Sequence, residues 1–176
     1  MKLELRKRQG EFNRQYKFGD YELYDLNDAT ESDEPVPIVN YRVLYFRRVS
    51  GQEKYYQAEI EYFNYHFGQE NSPYLRKGYT VKGLMKLKEM LLEKGIPHIY
   101  LSINKDNLAS KGVAKKAGFI DDVVFHPDAL KIMEGILADL PDKELAEKEF
   151  EWFKMRYEKY MEKKRQLEDK GDELEI

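Results

Sequence analysis

Residues 74–84, YLRKGYTVKGL, form a basic turn that runs straight into an apolar helix period. At the start of a helix the first N–H groups have no partner within the helix, and the aligned peptide dipoles place partial positive charge there. Gly78 would let the backbone approach an anion closely, and Arg76 and Lys77 would add charge, so the turn suits a phosphate. It is neither a Walker A loop, which needs Gly-Lys-Ser/Thr at the helix start, nor a GxGxxG fingerprint. A little upstream, Glu59 and Glu61 alternate with apolar residues, which puts both carboxylates on one face of a strand.

Several elements must position these residues. Residues 2–8 and 21–26 read as short strands, followed by an acidic, proline-containing loop over 27–40. Residues 41–49 and 54–67 are strands rich in β-branched and aromatic residues, joined by a turn at Ser50, Gly51 and Gln52. In the second, Tyr56, Ala58, Ile60 and Tyr62 share one face, and Gln57, Glu59, Glu61 and Phe63 the other. Residues 80–94 place Val81, Leu84, Met85, Leu87, Leu91 and Leu92 at helical spacing and stop at Gly95. Residues 98–103 are a strand, and residues 107–117 a helix capped by Asn107, with Val113, Ala114 and Ala117 inward and Gly118 as its left-handed end. Residues 119–125 read as a strand. Strands joined by a helix crossover are parallel, so the centre of the fold is α/β with a mixed sheet.

The tail changes character. Residues 127–140 read as one helix and 142–170 as a second, with Ala146, Phe150, Phe153, Tyr157, Tyr160 and Leu167 tracing a stripe. The second would be on the order of 40 Å long, so part of it would protrude or pack on a partner. We therefore divide the chain into a domain over 1–126 and a helical extension over 127–176.

Composition narrows the function. The chain has 176 residues, 41% hydrophobic and 36% charged, which describes one domain with a heavily charged surface. There is no apolar run of membrane-spanning length and no signal-peptide pattern, so a cytoplasmic protein is expected. A net charge of −3 argues against a nucleic-acid binder. Arg6, Lys7 and Arg8, and the pair Arg47 and Arg48, read as solvated strand faces. The absence of cysteine excludes thiolate chemistry, and three histidines leave little for a metal site. His98 and His126 read as strand-edge residues.

Taken together, AEIEYF (58–63), RKGYTVKGLMKL (76–87) and IYLSINKDNLASKGVAKKAGF (99–119) resemble the GCN5-related N-acetyltransferase (GNAT) superfamily. The nearest likeness is to its ribosomal-protein N-acetyltransferase branch, in which a strand, an asparagine-capped helix with Asn-x-x-Ser and a closing Gly-Phe follow one another. Here these are Asn107, Ser110, Gly118 and Phe119. The resemblance spans about residues 54–125. It implies a central mixed sheet flanked by helices, with acetyl-CoA as co-substrate held by Arg76, Lys77, Gly78, Tyr79, Thr80, Asn107 and Ser110. It also implies acetyl transfer to a primary amine of a small molecule or peptide, with Glu59 as base and Glu61 as runner-up.

The sequence departs from the family's pattern at several points. Aligned on Gly78, the coenzyme motif Gln/Arg-x-x-Gly-x-Gly/Ala has Leu75 at its basic position and Thr80 at its small one. The segment between Tyr62 and Gly78 is several residues longer than usual. Ala114 stands where many members carry the tyrosine that protonates the departing thiolate, which leaves Tyr62, Tyr65 and Tyr100 as candidates. No helical period precedes residue 80, whereas the family places two helices there. Leu75, Thr80 and Ala114 favour a second reading, a scaffold without catalysis that docks a partner, such as a second copy, through its C-terminal helix. Gly78, Asn107, Ser110 and Glu59 favour the enzyme.

Overall fold

The computed structural model describes residues 1–8, 17–28, 34–47 and 55–175. Six strands form one mixed sheet in sequence order: β1 (Leu3–Arg8), β2 (Lys17–Asp25), β3 (Val39–Phe46), β4 (Gln57–Asn64), β5 (His98–Leu101) and β6 (Val123–Phe125). All neighbours are antiparallel except β4 and β5, which α1 (Tyr79–Glu93) connects. The parallel pair is what a helical crossover requires. The predicted turn at Ser50, Gly51 and Gln52 lies outside the described residues, as does Arg48. No α-helix precedes α1 among the described residues, only a 3-10 turn at Leu26–Asp28.

Alternation along the strands sends two sets of side chains to opposite faces. One face carries Leu23, Val39, Tyr41, Val43, Ala58, Ile60 and Ile99. It is closed by Leu84, Leu87 and Leu91 of α1 and by Ala114 of α2 (Leu108–Lys116), with Ala117 just beyond that helix. Gly83 makes the contact of α1 with the sheet possible, because a Cβ there would lie 2.2 Å from the Tyr41 hydroxyl oxygen. Asn107 caps α2 as expected, its Oδ1 accepting from the Ser110 amide at 3.0 Å. Gly95 and Gly118 end their helices in the left-handed region, with φ of 82° and 90°.

Among the described residues, the other face is covered at its β5–β6 end. There Phe125 of β6 packs with Met133 and Leu137 of α3 (Ala129–Ala138) and Phe153 of α4 (Lys143–Glu175), together with Tyr56. Over β1 to β3 this face is polar, with Arg42 paired to Asp20 at 3.0 Å and Arg8 to Glu22 at 3.6 Å.

Five local expectations change. Tyr56 does not continue the Ala58 and Ile60 face; it precedes β4 and joins the second cluster. Strand β4 stops at Asn64, because the Asn64 carbonyl and side chain accept the amides of Phe67 and His66 in a turn. Met85 lies on the outer side of α1. The stretch 119–125 is not one strand: Ile120 and Val123 exchange backbone hydrogen bonds of 2.9 and 3.0 Å across a two-residue turn at Asp121 and Asp122. Leu167 is exposed, since α4 leaves the body of the protein beyond Lys163, which still pairs with Asp121, and its 33 residues span about 50 Å. Among the described residues, no helix is long and apolar enough to cross a membrane.

Candidate active site

The parallel ladder between β4 and β5 is short. It pairs Gln57 with His98 through Ile60 with Leu101, and its last rung is the Ser102 amide donating to the Ile60 carbonyl at 3.3 Å. Strand β4 continues to Asn64 while β5 has ended. Backbone polar groups alternate in direction along a strand, so the N–H and C=O of Tyr62 point where those of Ile60 do, past the end of β5. No group among the described residues takes up either. The Tyr62 side chain closes one wall of this gap by donating to the Ser110 carbonyl of α2 at 3.1 Å.

Both helices of the first face begin at this edge, since each follows one of the two parallel strands. In open sheets that edge is where ligands lodge. The first turn of α1 is fixed by the Tyr41 hydroxyl, which donates to the Thr80 carbonyl at 2.8 Å, and Tyr41 lies beside Tyr62 with ring centroids 6.2 Å apart. Gly78 precedes the helix with φ of 82° and no side-chain cap. Among the described residues no acceptor engages the amides of Tyr79, Thr80 and Val81, and Arg76 and Lys77 are exposed on the approach. The Tyr79 side chain is committed elsewhere, donating to the Asp25 carboxylate at 2.8 Å inside the core. Burial pushes that carboxyl up, but donors from Tyr79 and from the Lys2 and Asn27 amides outweigh it and hold Asp25 below its ordinary value. Burial first, and then Asp25, push the Tyr79 phenol up to about 12. What Tyr79 can offer a ligand is its backbone N–H.

Glu59 and Glu61 stand on the other face, Glu59 half-buried opposite Tyr100 and Leu44, Glu61 exposed opposite Arg42. Tyr100 rests edge-on against Phe46 at 5.7 Å, and its hydroxyl is pushed up by burial and next by the Glu59 carboxylate. Of the tyrosines considered as acids, Tyr62 is at the gap, Tyr100 is beside Glu59, and Tyr65 packs on Phe63 beyond the end of the strand. Ala114 is buried on the inner side of α2. His98 is not at a strand edge but in the second core, 4.4 Å from the Phe125 ring. Burial, and after it Arg156 and Arg47, lower its pKa to about 3, so it is neutral and no general base at ordinary pH. His126 turns its Nδ1 to the Asp128 amide at 2.9 Å.

Next to Tyr100 and Gln57 lies a groove of about 470 Å³, lined by Arg47, by Arg156 of α4 and by Asp121 and Asp122. Sequence reasoning missed it. Arg47 read as a solvated strand residue, and the signal that could have corrected this is the chain's one tryptophan, Trp152, whose ring lies 3.9 Å from the Arg47 guanidinium and 4.7 Å from that of Arg156.

No family model matches the chain, and no curated protein matches it in sequence. Among solved structures it is similar to one described as a ribosomal-protein-serine acetyltransferase from Vibrio cholerae, with 13% identity and a TM-score of 0.43 over 58% of this chain and 49% of that one. A second is RimL, a ribosomal-protein alpha-N-acetyltransferase in complex with coenzyme A, at 18% identity and a TM-score of 0.41 over 60% of this chain and 49% of that one. A third is an aminoglycoside acetyltransferase in complex with coenzyme A and kanamycin, at 16% identity and a TM-score of 0.43 over 65% and 69%. The match spans about half the length of the first two. At such identities and TM-scores the likenesses carry no argument about ligand or activity, which must rest on the geometry above.

Proposed function

We propose that the chain is an acetyl-CoA-dependent N-acetyltransferase acting on a primary amine. The observation that carries this is the unpaired end of β4: a strand edge with the Tyr62 N–H and C=O free, bordered by the amide-rich start of α1. The amides of Tyr79, Thr80 and Val81, with Arg76 and Lys77, hold the diphosphate, and Gly78 lets it come close. The Tyr62 C=O and N–H hold the coenzyme's arm as a neighbouring strand would, and the N–H is available to polarise the thioester carbonyl. Asn107 and Ser110 shape the opposite wall through the α2 cap and the Tyr62 contact.

A gap between strands opens onto both faces of the sheet, so a thioester laid along it can be met from the Glu59 side. Glu59 takes a proton from the ammonium of the acceptor, the amine nitrogen attacks the thioester carbon, and the carbon–sulfur bond breaks as the new amide forms. The Tyr62 hydroxyl, beside the gap, turns from the Ser110 carbonyl to protonate the thiolate and is restored by the second proton that the nitrogen sheds as the amide forms. The test is thiol release from acetyl-CoA with a panel of amines, peptides and polyamines. Glu59→Gln is expected to lower turnover about a hundredfold, the lower range for a general base. Unchanged turnover would remove Glu59 from the mechanism.

A second reading keeps the scaffold without chemistry, with α4 as a docking helix. The observation that favours it is the exposure of Met155, Met161 and Leu167 along that helix. Under it, acetyl-CoA would give no thermal shift, whereas the transferase reading expects about 2.7 kcal/mol at a hundredfold excess over Kd.

A further inference from the structure

The groove beside Tyr100 contains two charges that nothing in the described protein balances. Arg47 is spoken for: its guanidinium lies 3.5 Å from Glu149, whose carboxylate also accepts from the Tyr56 hydroxyl at 2.9 Å. Arg156 has no carboxylate within ion-pair reach among the described residues, although it is half-buried and faces Arg47. Taking a guanidinium out of water without an anion is costly, and here a like charge is set against it as well. Burial first, and then Arg47, pull the Arg156 guanidinium below its ordinary value. Stacking on Trp152 holds both guanidiniums in place without neutralising either.

The carboxylates on the same lining divide in the same way. Asp121 is bound by Lys163 of α4, and Asp122 has no cationic partner among the described residues. The carbonyl of Asp122 accepts the Leu101 amide at 2.8 Å, which fixes the residue alongside the last position of β5, at the gap. Both aspartates have left-handed backbones, with φ of 49° and 64°, a conformation that is strained for a residue with a side chain. Glycine would remove that strain and would also remove the carboxylates.

One unbalanced guanidinium and one unbalanced carboxylate, on the lining of one groove of ligand size, complement a molecule that carries both a cation and an oxyanion. We propose that the acceptor is an amine that also carries a carboxylate or phosphate, its oxyanion gripped by Arg156 beside Arg47 and its ammonium drawn by Asp122 toward the open end of β4. This rests on the transferase reading for one point only, that the ammonium end is the reacting end. Arg156 and Asp122 are then specificity-determining residues. A guanidinium suits either oxyanion because its N–H fork matches both bidentately.

The test uses Trp152 emission, which reports on the groove without coenzyme or turnover. The native chain is titrated with β-alanine, phosphoethanolamine, ethanolamine and inorganic phosphate. β-Alanine, phosphoethanolamine or both are expected to bind saturably, about tenfold or more tighter than ethanolamine and inorganic phosphate, and the better of the two identifies the oxyanion. Arg156→Gln and Asp122→Asn should each weaken that binding about tenfold, and Arg156→Lys, which keeps the charge but loses the fork, should fall between. The Lys variant also guards against an Arg156→Gln chain that fails to fold. Ethanolamine binding as well as its oxyanion-bearing analogues, saturable binding by none of the four, or indifference to Arg156→Gln and Arg156→Lys would overturn the proposal. Failure of acetyl transfer while the titrations behave as expected would overturn the transferase reading and leave the groove's ligand chemistry standing.

Discussion

On the α1 side of β4, Ala58 and Ile60 are fully buried; on the α4 side, their neighbours Glu59 and Glu61 are half-buried and exposed. The difference comes from coverage. Helix α1 lies flat over the middle of the sheet, while α3 and α4 reach only its β5–β6 end before α4 runs off into solvent. A strand placed between a sealed face and an open one, and whose neighbour stops early, has a free edge reachable from both. A ligand's anionic portion can lie against helix amides on one side while its reacting partner arrives from the other.

The sealed face should be the more sensitive to change. Gly83→Ala drives a methyl into the Tyr41 hydroxyl and Leu23, and should cost about 3 kcal/mol in chemical denaturation, the upper range for overpacking. Combined with Tyr41→Phe the penalty should shrink, since the atom struck first is gone. A cost unchanged by Tyr41→Phe would show that α1 is held off the sheet by something else.

The α4 side should instead reveal itself through pH. His98 is neutral in the fold and protonates near pH 6.5 when unfolded, so its depressed value takes away stability as pH falls from about 6.5 toward 3. With one proton involved the slope cannot exceed about 1.4 kcal/mol per pH unit, which gives a loss of about 2 kcal/mol by pH 5. The neighbouring arginines keep the same sign, because their charge disfavours a second cation. His98→Phe should flatten this window and also remove the unpaired Nε2. A further loss below about pH 4 should survive in that variant, since Asp25 on the opposite face also has a depressed value. Equal slopes in native and variant chains would contradict the assignment.

At the edge between the faces the expected effect on stability is smallest. Tyr62→Phe removes one hydrogen bond to the Ser110 carbonyl and should cost about 1 kcal/mol. Its larger effect should appear in turnover, as a loss in kcat that grows when the leaving thiol is made more basic.

Much of the sealed face could be read from the sequence because it rests on local rules. Leu84, Leu87 and Leu91 recur at helical spacing, Asn107 caps, Gly95 and Gly118 end helices, and Ala58 and Ile60 alternate with charged neighbours. The open side could not be read in the same way. The gap exists only because β5 ends at Leu101 while the apolar run continues to Ile103, and nothing local marks that stop. Asp121 and Asp122 lie within what reads as one strand, and the turn they form is one usually made by Asn-Gly or Asp-Gly. Arg47, Trp152 and Arg156 meet only because α4 folds back over the sheet, a contact between residues more than a hundred positions apart. Tyr56 switches clusters because β4 begins one residue after it, and Leu167 keeps the stripe's period beyond the point where there is anything left to pack against.

The most direct test of the central claim compares acetyl-CoA with S-acetylpantetheine, which has the same thioester and no diphosphate, by calorimetric titration of the native chain and of Gly78→Val. The native chain should bind acetyl-CoA about tenfold or more tighter than the truncated thioester. Gly78→Val, which places a β-branched residue at a φ of 82°, should erase that preference while leaving the melting of the rest of the protein intact. Acetyl-CoA that fails to bind, or that binds no tighter than S-acetylpantetheine, would contradict the account.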